Sequence, residues 1–178
     1  MKKILIVVDM QTDFIDGSLG SAEAVAITPN AVRLIREWDG DIIATLDTHG
    51  EQYLDTAEGK KLPVPHCIKG TAGWALHPQI QEALAGKCYE TLEKPTFGSV
   101  ELPARVRALA GDEPFALTVI GLCTDICVVS NVLLLKASFP EVPLAVDAAC
   151  CAGVTPQAHE AALRTMMSCQ IDVLNFEA

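Results

Sequence analysis

The residue most capable of chemistry in this sequence is Cys127, within the segment GLCTDICV at 121–128. The apolar run Phe115–Ile120 precedes this segment directly, which predicts a strand that leads into a helix. If Thr124 caps that helix, Cys127 lies in the first turn, where free N–H groups and the helix dipole stabilise a thiolate. A nucleophilic thiol is one hypothesis, and a small buried core residue is the alternative.

Two other ionisable side chains follow predicted strands. Asp9 comes directly after the buried run Ile4–Val8, and Lys94 ends a shorter strand-like run just before a proline. Open parallel sheets bind ligands at the carboxyl ends of their strands, so both side chains are expected in one crevice with Cys127. A base, a charge stabiliser and a nucleophile together make a cysteine hydrolase. Taken singly, Asp9 is more often a turn residue and Lys94 a solvated charge.

Three segments of the chain resemble the isochorismatase-like cysteine hydrolase superfamily, and the resemblance covers nearly the whole sequence. They are DMQTDF at 9–14, EKPTFGS at 93–99 and GLCTDICV at 121–128.

The resemblance implies a catalytic triad of Asp9, Lys94 and Cys127, so that Cys123 is not the nucleophile. It also implies a non-proline cis peptide between Leu122 and Cys123. This bond would turn the N–H of Cys123, together with that of Cys127, toward the substrate oxyanion.

The elements that must position these residues alternate between strand and helix. This alternation predicts one α/β domain over residues 1–178, with a doubly wound parallel sheet and helices on both faces. The resemblance implies six strands in the order 3-2-1-4-5-6. We expect Thr28 to cap a helix with Pro29 at its first position. The predicted strands are 2–8, 41–46, 87–92, 115–121, 142–147 and 171–174, and the predicted helices are 29–38, 78–85, 100–110, 124–137 and 156–169.

Composition excludes several classes of function. The chain has 178 residues, 50% of them hydrophobic, and a formal charge of -10, which disfavours nucleic acid and anionic membrane surfaces as partners. No G-x-G-x-x-G follows the first strand, which disfavours dinucleotide binding. The number of cysteines, seven, is odd, and we expect neither a signal peptide nor a membrane span. Both observations favour reduced thiols and a cytoplasmic location. We also expect a homo-oligomer.

The long connection from Asp47 to Gly73 is expected to be functional, because loops of this length are uncommon in a compact domain. Asp47, His49 and His66 on this loop make a moderate signal for a divalent metal, and Glu58 could supply a fourth ligand.

The string PHCIKGTAG at 65–73 resembles the P-x-H-C-x-x-G-T stretch of nicotinamidases. The resemblance implies that Asp47, His49 and His66 bind a divalent ion, usually zinc, which coordinates the pyridine nitrogen of nicotinamide. Phe14 matches an aromatic residue that lines the family pocket. At the position of Val64 the family commonly has an aromatic residue that forms one wall of the substrate pocket. Because this chain has valine there, a different or larger substrate remains an alternative.

These residues together predict hydrolysis of a small amide, nicotinamide or a related one, through a thioester. An isochorismatase-type reaction or another C–N hydrolysis is an alternative within the same fold. A catalytically silent metal-binding or interaction protein is the alternative from another class.

Overall fold

The computed structural model describes residues 1–176 and contains one six-stranded sheet, in which every neighbouring pair of strands is parallel. The strand order is β3-β2-β1-β4-β5-β6, as the family resemblance implies. The strands are β1 (Lys2–Val8), β2 (Asp41–Asp47), β3 (Tyr89–Lys94), β4 (Phe115–Leu122), β5 (Leu144–Ala152) and β6 (Asp172–Leu174).

Helices cover both faces of the sheet. They are α1 (Thr12–Ile15), α2 (Ala22–Glu37), α3 (Ala57–Lys61), α4 (Pro78–Leu84), α5 (Leu102–Ala110), α6 (Val129–Ser138) and α7 (Pro156–Ser168). Alternate residues of β1 belong to two separate cores, because successive strand side chains point to opposite faces. Ile6 packs in the core formed with α5, α6 and α7, and Val7 packs in the core formed with α2 and α4. The predicted fold class is confirmed.

The helix expected to begin at Pro29 begins seven residues earlier. Ser21 is the N-cap of α2 and accepts a hydrogen bond from the N–H of Ala24, so the predicted cap at Thr28 is wrong. The preceding residues 22–28 include three alanines and one glutamate, which are good helix formers. Pro29 lies inside the helix, and the hydroxyl of Thr28 donates to the carbonyl of Ala24.

Two predicted strands are displaced or too short. β3 extends two residues beyond the predicted range 87–92 and ends at Lys94, where the strand-like run was expected to end, because it pairs with β2 as far as the partners Asp47 and Lys94. β5 extends to Ala152, because its second half pairs with the end of β4 beyond a register shift. The first of these corrections matters most, since it puts Lys94 and Asp47 side by side.

Candidate active site

The carboxyl ends of three strands bring together the three residues that the sequence predicts to be catalytic. Asp9 follows β1, Lys94 ends β3, and Cys127 lies in the turn after β4. The ammonium nitrogen of Lys94 is 2.6 Å from Asp9 Oδ2 and 3.5 Å from Cys127 Sγ. Asp9 and Lys94 are fully buried, and Cys127 is nearly so. The cluster thus holds an acid, a cation and a thiol within contact distance in a region shielded from solvent.

Thr45, on the neighbouring strand β2, fixes the carboxylate of Asp9. Its hydroxyl donates a 2.6 Å hydrogen bond to Asp9 Oδ1, and the N–H of Asp9 in turn lies 3.2 Å from Thr45 Oγ1. Burial raises the pKa of Asp9, while the charge of Lys94 and the hydrogen bond from Thr45 oppose that rise. The sequence analysis did not single out Thr45, although a hydroxyl within an apolar strand is the signal for such a role.

Cys127 lies in one π-helical turn, Thr124–Val128, which precedes α6. The N-cap of this turn is Cys123, so the prediction that Thr124 caps a helix is wrong. The hydroxyl of Thr124 instead lies 2.8 Å from Nδ1 of His159 on α7. The peptide between Leu122 and Cys123 is cis, as the resemblance implies.

The resting form of Cys127 differs from the expected thiolate. Burial and the negative charge of Asp9 raise the pKa of the thiol well above its ordinary value, and the cation of Lys94 only partly offsets them. A helix N-terminus favours a thiolate only where the sulfur stays hydrated enough to carry the charge, and Cys127 is 4% exposed. Burial and Asp9 therefore disfavour a thiolate at Cys127, and the mechanism proposed below includes a base that takes the thiol proton.

A second cluster, called here the Asp-His-His cluster, consists of Asp47, His49 and His66. Asp47 Oδ2 lies 2.9 Å from Nε2 of His49 and 3.5 Å from Nε2 of His66. All three residues are buried, and their ligand atoms lie within 4.8 Å of one another. Burial raises the pKa of Asp47, but the two neighbouring imidazoles and the charge of Lys94 outweigh it, so that the pKa falls well below its usual value.

The donor set of the Asp-His-His cluster fits a divalent metal. Nδ1 of His66 lies 2.8 Å from the carbonyl oxygen of Val64, which can only accept, so Nδ1 carries the proton and Nε2 presents a lone pair. Two imidazoles and one carboxylate are a ligand set of catalytic zinc sites. Glu58 also faces the cluster, with Oε1 3.8 Å from Nε2 of His49 and 3.7 Å from Nε2 of His66.

Three buried or partly buried side chains that the sequence analysis did not single out hold the Asp-His-His cluster in place. Gln11 bonds both the N–H and the carbonyl of Asp47, at 2.8 and 2.9 Å. Asp13 accepts a hydrogen bond from the N–H of Cys67, next to His66. Tyr53 packs against both imidazoles, with ring centroids 4.7 and 4.9 Å away.

Gln11 and Asp13 belong to the DMQTDF segment, so the motif itself was the signal for them. Tyr53 gives no such signal, because nothing in the local sequence shows which side chains it meets.

A cavity of about 50 Å³, called here the inner chamber, joins the two clusters. Phe14 lines it, as predicted, together with Cys123, Cys127, Asp47 and His66. Further lining comes from Glu58, Leu62, Phe97 and Ile126.

Val64 does not line the inner chamber, contrary to the expectation that it forms part of the substrate pocket. Its carbonyl turns toward His66 instead, and Leu62, two residues earlier, supplies the apolar wall.

Asn131 ties the nucleophile turn to the loop after β3. Its amide nitrogen donates to the carbonyls of Cys127 at 2.8 Å and Phe97 at 3.1 Å, and its oxygen accepts from the N–H of Ser99 at 2.9 Å. Asn131 is fully buried, and it thereby holds one wall of the inner chamber against the Cys127 turn. The sequence analysis missed it, because a single asparagine on a helix carries no pattern.

All seven cysteines are free. Cys67 is fully buried and stands outside the Asp-His-His cluster. Its neighbour His66 points inward, and burial raises the pKa of the Cys67 thiol far above its ordinary value. Cys150 and Cys151 are buried core residues.

Among the described residues 1–176, none of the helices has both the length and the apolar character needed to cross a membrane.

The chain belongs to the isochorismatase family, because the family's isochorismatase domain model matches residues 3–178. It is 29% identical to the nicotinamidase/pyrazinamidase of Mycobacterium tuberculosis over 146 residues, which cover 71% of this chain and 74% of that protein. The predicted family membership is confirmed.

Solved structures agree with this assignment. The crystal structure of nicotinamidase PncA from Bacillus subtilis superposes with a TM-score of 0.83 at 25% identity, over 98% of this chain and 100% of that one. The pyrazinamidase of Pyrococcus horikoshii in complex with zinc has a TM-score of 0.77 at 23% identity, over 99% of this chain and 100% of that one, and shares the fold.

Proposed function

We propose that this protein is a cysteine hydrolase that cleaves a small amide to a carboxylic acid and ammonia, with nicotinamide and pyrazinamide as the first candidate substrates. Membership of the isochorismatase family and the relatives named nicotinamidase and pyrazinamidase support amide hydrolysis. The observation that carries the proposal is the contact of one buried ammonium, that of Lys94, with both Asp9 and Cys127.

In the first step, Asp9 takes the proton of the Cys127 thiol while the sulfur attacks the amide carbonyl carbon. A C–S bond forms, and the carbonyl electrons move to the oxygen. Lys94 stays protonated, since its pKa is raised by Asp9, Cys127 and Asp47 against the effect of burial. The ammonium of Lys94 thus stabilises the negative charge of Asp9 before the proton transfer and negative charge on the sulfur during it. Donors to the developing oxyanion are typically worth about 2.7 to 4 kcal/mol each, and we assign this role to the N–H groups of Cys123 and Cys127.

In the second step, the oxyanion collapses and the C–N bond breaks. Protonated Asp9 gives its proton to the leaving nitrogen, so ammonia departs and a thioester with Cys127 remains. A water molecule then attacks the thioester carbon and passes a proton to Asp9. The C–S bond breaks, the sulfur regains the proton, and the acid product leaves.

Asp47, His49 and His66 are the residues that would hold a divalent metal, with zinc as the first candidate because a structural relative is a zinc complex. When bound, such an ion would supply a Lewis-acidic charge at the wall of the inner chamber. Glu58, within 3.8 Å of both imidazoles, could complete the ligand set. The family resemblance adds that the ion anchors a ring nitrogen of the substrate.

Ammonia release from nicotinamide, pyrazinamide and propanamide tests the proposal, with Asp9→Asn as the inactive comparison. The substituted amide keeps the size of the carboxylate but cannot accept the thiol proton. Hydrolysis of at least one amide by the native protein, lost in Asp9→Asn, would support the assignment. Release of no ammonia from any of the three amides would refute it and favour the silent metal-binding alternative. A cytoplasmic location and a homo-oligomeric state stay predictions.

A further inference from the structure

Two cavities meet at the mouth of the candidate active site. The inner chamber adjoins a larger cleft of about 440 Å³, called here the outer cleft. Four residues line both cavities, and the outer cleft adds three of its own. The shared residues are Glu58, Leu62, Phe97 and Ile126, and the added ones are Ala57, Lys61 and Thr96.

The inner chamber is small in this structure. Its volume is about 50 Å³, whereas pockets for organic ligands typically measure about 300 to 1,000 Å³. The reacting carboxamide must lie there, because Cys127 and the predicted oxyanion donors line that chamber and not the outer cleft. A substituent that the inner chamber does not hold can extend past the four shared residues, and the outer cleft falls within the usual size range.

The walls of the outer cleft are suited to an apolar group. Leu62 is 38% exposed and Phe97 is 41% exposed, although side chains of this kind are usually buried. Together with the half-buried Ile126 they form a continuous apolar surface that begins inside the inner chamber. The main chain of Phe97 is tied to α6, because Asn131 donates to its carbonyl. A partly exposed aromatic wall beside a nucleophile favours contact with an apolar part of the substrate.

We infer that the outer cleft is a substrate subsite, and that the preferred substrates are primary amides whose acyl group carries an apolar arm beyond the carboxamide. This inference rests on the proposed function, which supplies the reaction, and it adds the substrate class. Enclosing part of a phenyl group in the outer cleft should raise kcat/KM by about tenfold over an amide without the arm.

The test compares propanamide with 3-phenylpropanamide, which share the same reacting group and differ in a flexible aromatic arm. Ammonia release gives kcat/KM for both amides with the native protein and two variants. Ala57→Trp fills the outer cleft from the start of α3, where Ala57 is exposed and does not line the inner chamber. Lys60→Trp is the matched control, because Lys60 is exposed on the same helix and lines neither cavity.

We expect 3-phenylpropanamide to be preferred by the native protein and by Lys60→Trp. Ala57→Trp should lose this preference while its kcat/KM for propanamide stays unchanged. Equal kcat/KM values for the two amides in the native protein would overturn the subsite. A change of oligomeric state in Ala57→Trp by light scattering, with the substrate preference retained, would overturn it too and show that a second copy covers the cleft. If no amide were hydrolysed, the proposed function itself would fail, and the subsite with it.

Discussion

Asp47 and Lys94 are direct partners in the register of β2 and β3, and their side chains meet beyond the strand ends, with Lys94 Nζ 3.3 Å from Asp47 Oδ1. The other oxygen of the same carboxylate faces the imidazoles of His49 and His66. One carboxylate therefore joins the Asp-His-His cluster to the cluster of Asp9, Lys94 and Cys127. A change in the charge of either cluster should be felt in the other.

Replacing Cys127 by Ala should abolish amide hydrolysis with little loss of stability. The side chain is nearly buried but small, so the change leaves a minor cavity while it removes the nucleophile. We expect kcat to fall by about a thousandfold or more. Cys123→Ala is the matched control and should keep substantial activity, since the role proposed for Cys123 is that of its main-chain N–H. Steady-state kinetics and thermal melts of both variants check this, and the reverse order of activities would contradict the assignment of the nucleophile.

Replacing Lys94 by Met should slow alkylation of Cys127. The charge of Lys94 lowers the pKa of the thiol, against the opposing effects of burial and Asp9, so its loss should raise the pKa further. At a fixed neutral pH a smaller thiolate fraction reacts with iodoacetamide, and we expect a fall in rate of about tenfold or more. Mass spectrometry of the peptide containing Cys127, over a range of pH, gives the rate.

Two features of the Lys94→Met experiment need separate control. Removing the cation leaves buried carboxylates without their partner, which typically costs about 3 to 5 kcal/mol, so the rate is measured where circular dichroism shows a folded protein. Lys69→Met removes an exposed lysine that pairs with Glu93 and should leave the rate unchanged. An identical pH profile in Lys94→Met and the native protein would exclude Lys94 from the site.

Replacing Thr45 by Val should move the acid limb of the pH profile of kcat/KM to higher pH. The hydrogen bond from Thr45 lowers the pKa of Asp9, and valine keeps the shape but not the hydroxyl. Asp9 must be ionised to accept the thiol proton, so a higher pKa leaves less active enzyme at low pH, by up to about tenfold at the acid end of the profile. Thr45→Ser retains the hydroxyl and should restore the native profile. A limb that does not move in Thr45→Val would argue against Asp9 as the base.

The Asp-His-His cluster predicts that the purified protein contains about one divalent ion per chain. His66→Ala should lose the ion, while His77→Ala should keep it, because His77 is the N-cap of α4 and lies outside the cluster. Loss of the ion should reduce hydrolysis of nicotinamide far more than that of propanamide, which has no ring nitrogen to anchor. Elemental analysis and paired kinetics measure both effects. Absence of metal even after incubation with zinc would remove the ion from the proposal and leave the roles of Asp9, Lys94 and Cys127 untouched.

Local sequence was a poor guide where two patterns compete. The pair Thr28-Pro29 is typical of a helix start, yet α2 runs through it because the residues from Ala22 onward already favour a helix. Thr124 is likewise a good cap by type, but its hydroxyl meets His159 from a distant helix. In the first case a longer stretch of local sequence decides the outcome, and in the second case a partner from a distant helix does.

The sequence by itself determined which residues end the strands. Strand-like runs placed Asp9 and Lys94 at or next to strand ends and Cys127 shortly after one. Residue types on the long loop suggested the metal ligands, and motif resemblance supported these ligands and added the strand order. Only the tertiary structure decided how those groups are tuned. The hydrogen bond from Thr45 to Asp9, the packing of Tyr53 against two imidazoles and the raised pKa of Cys127 all follow from burial and from contacts between strands and loops far apart in the chain. Burial and pairing are properties of the assembled sheet, so no local pattern could reveal them.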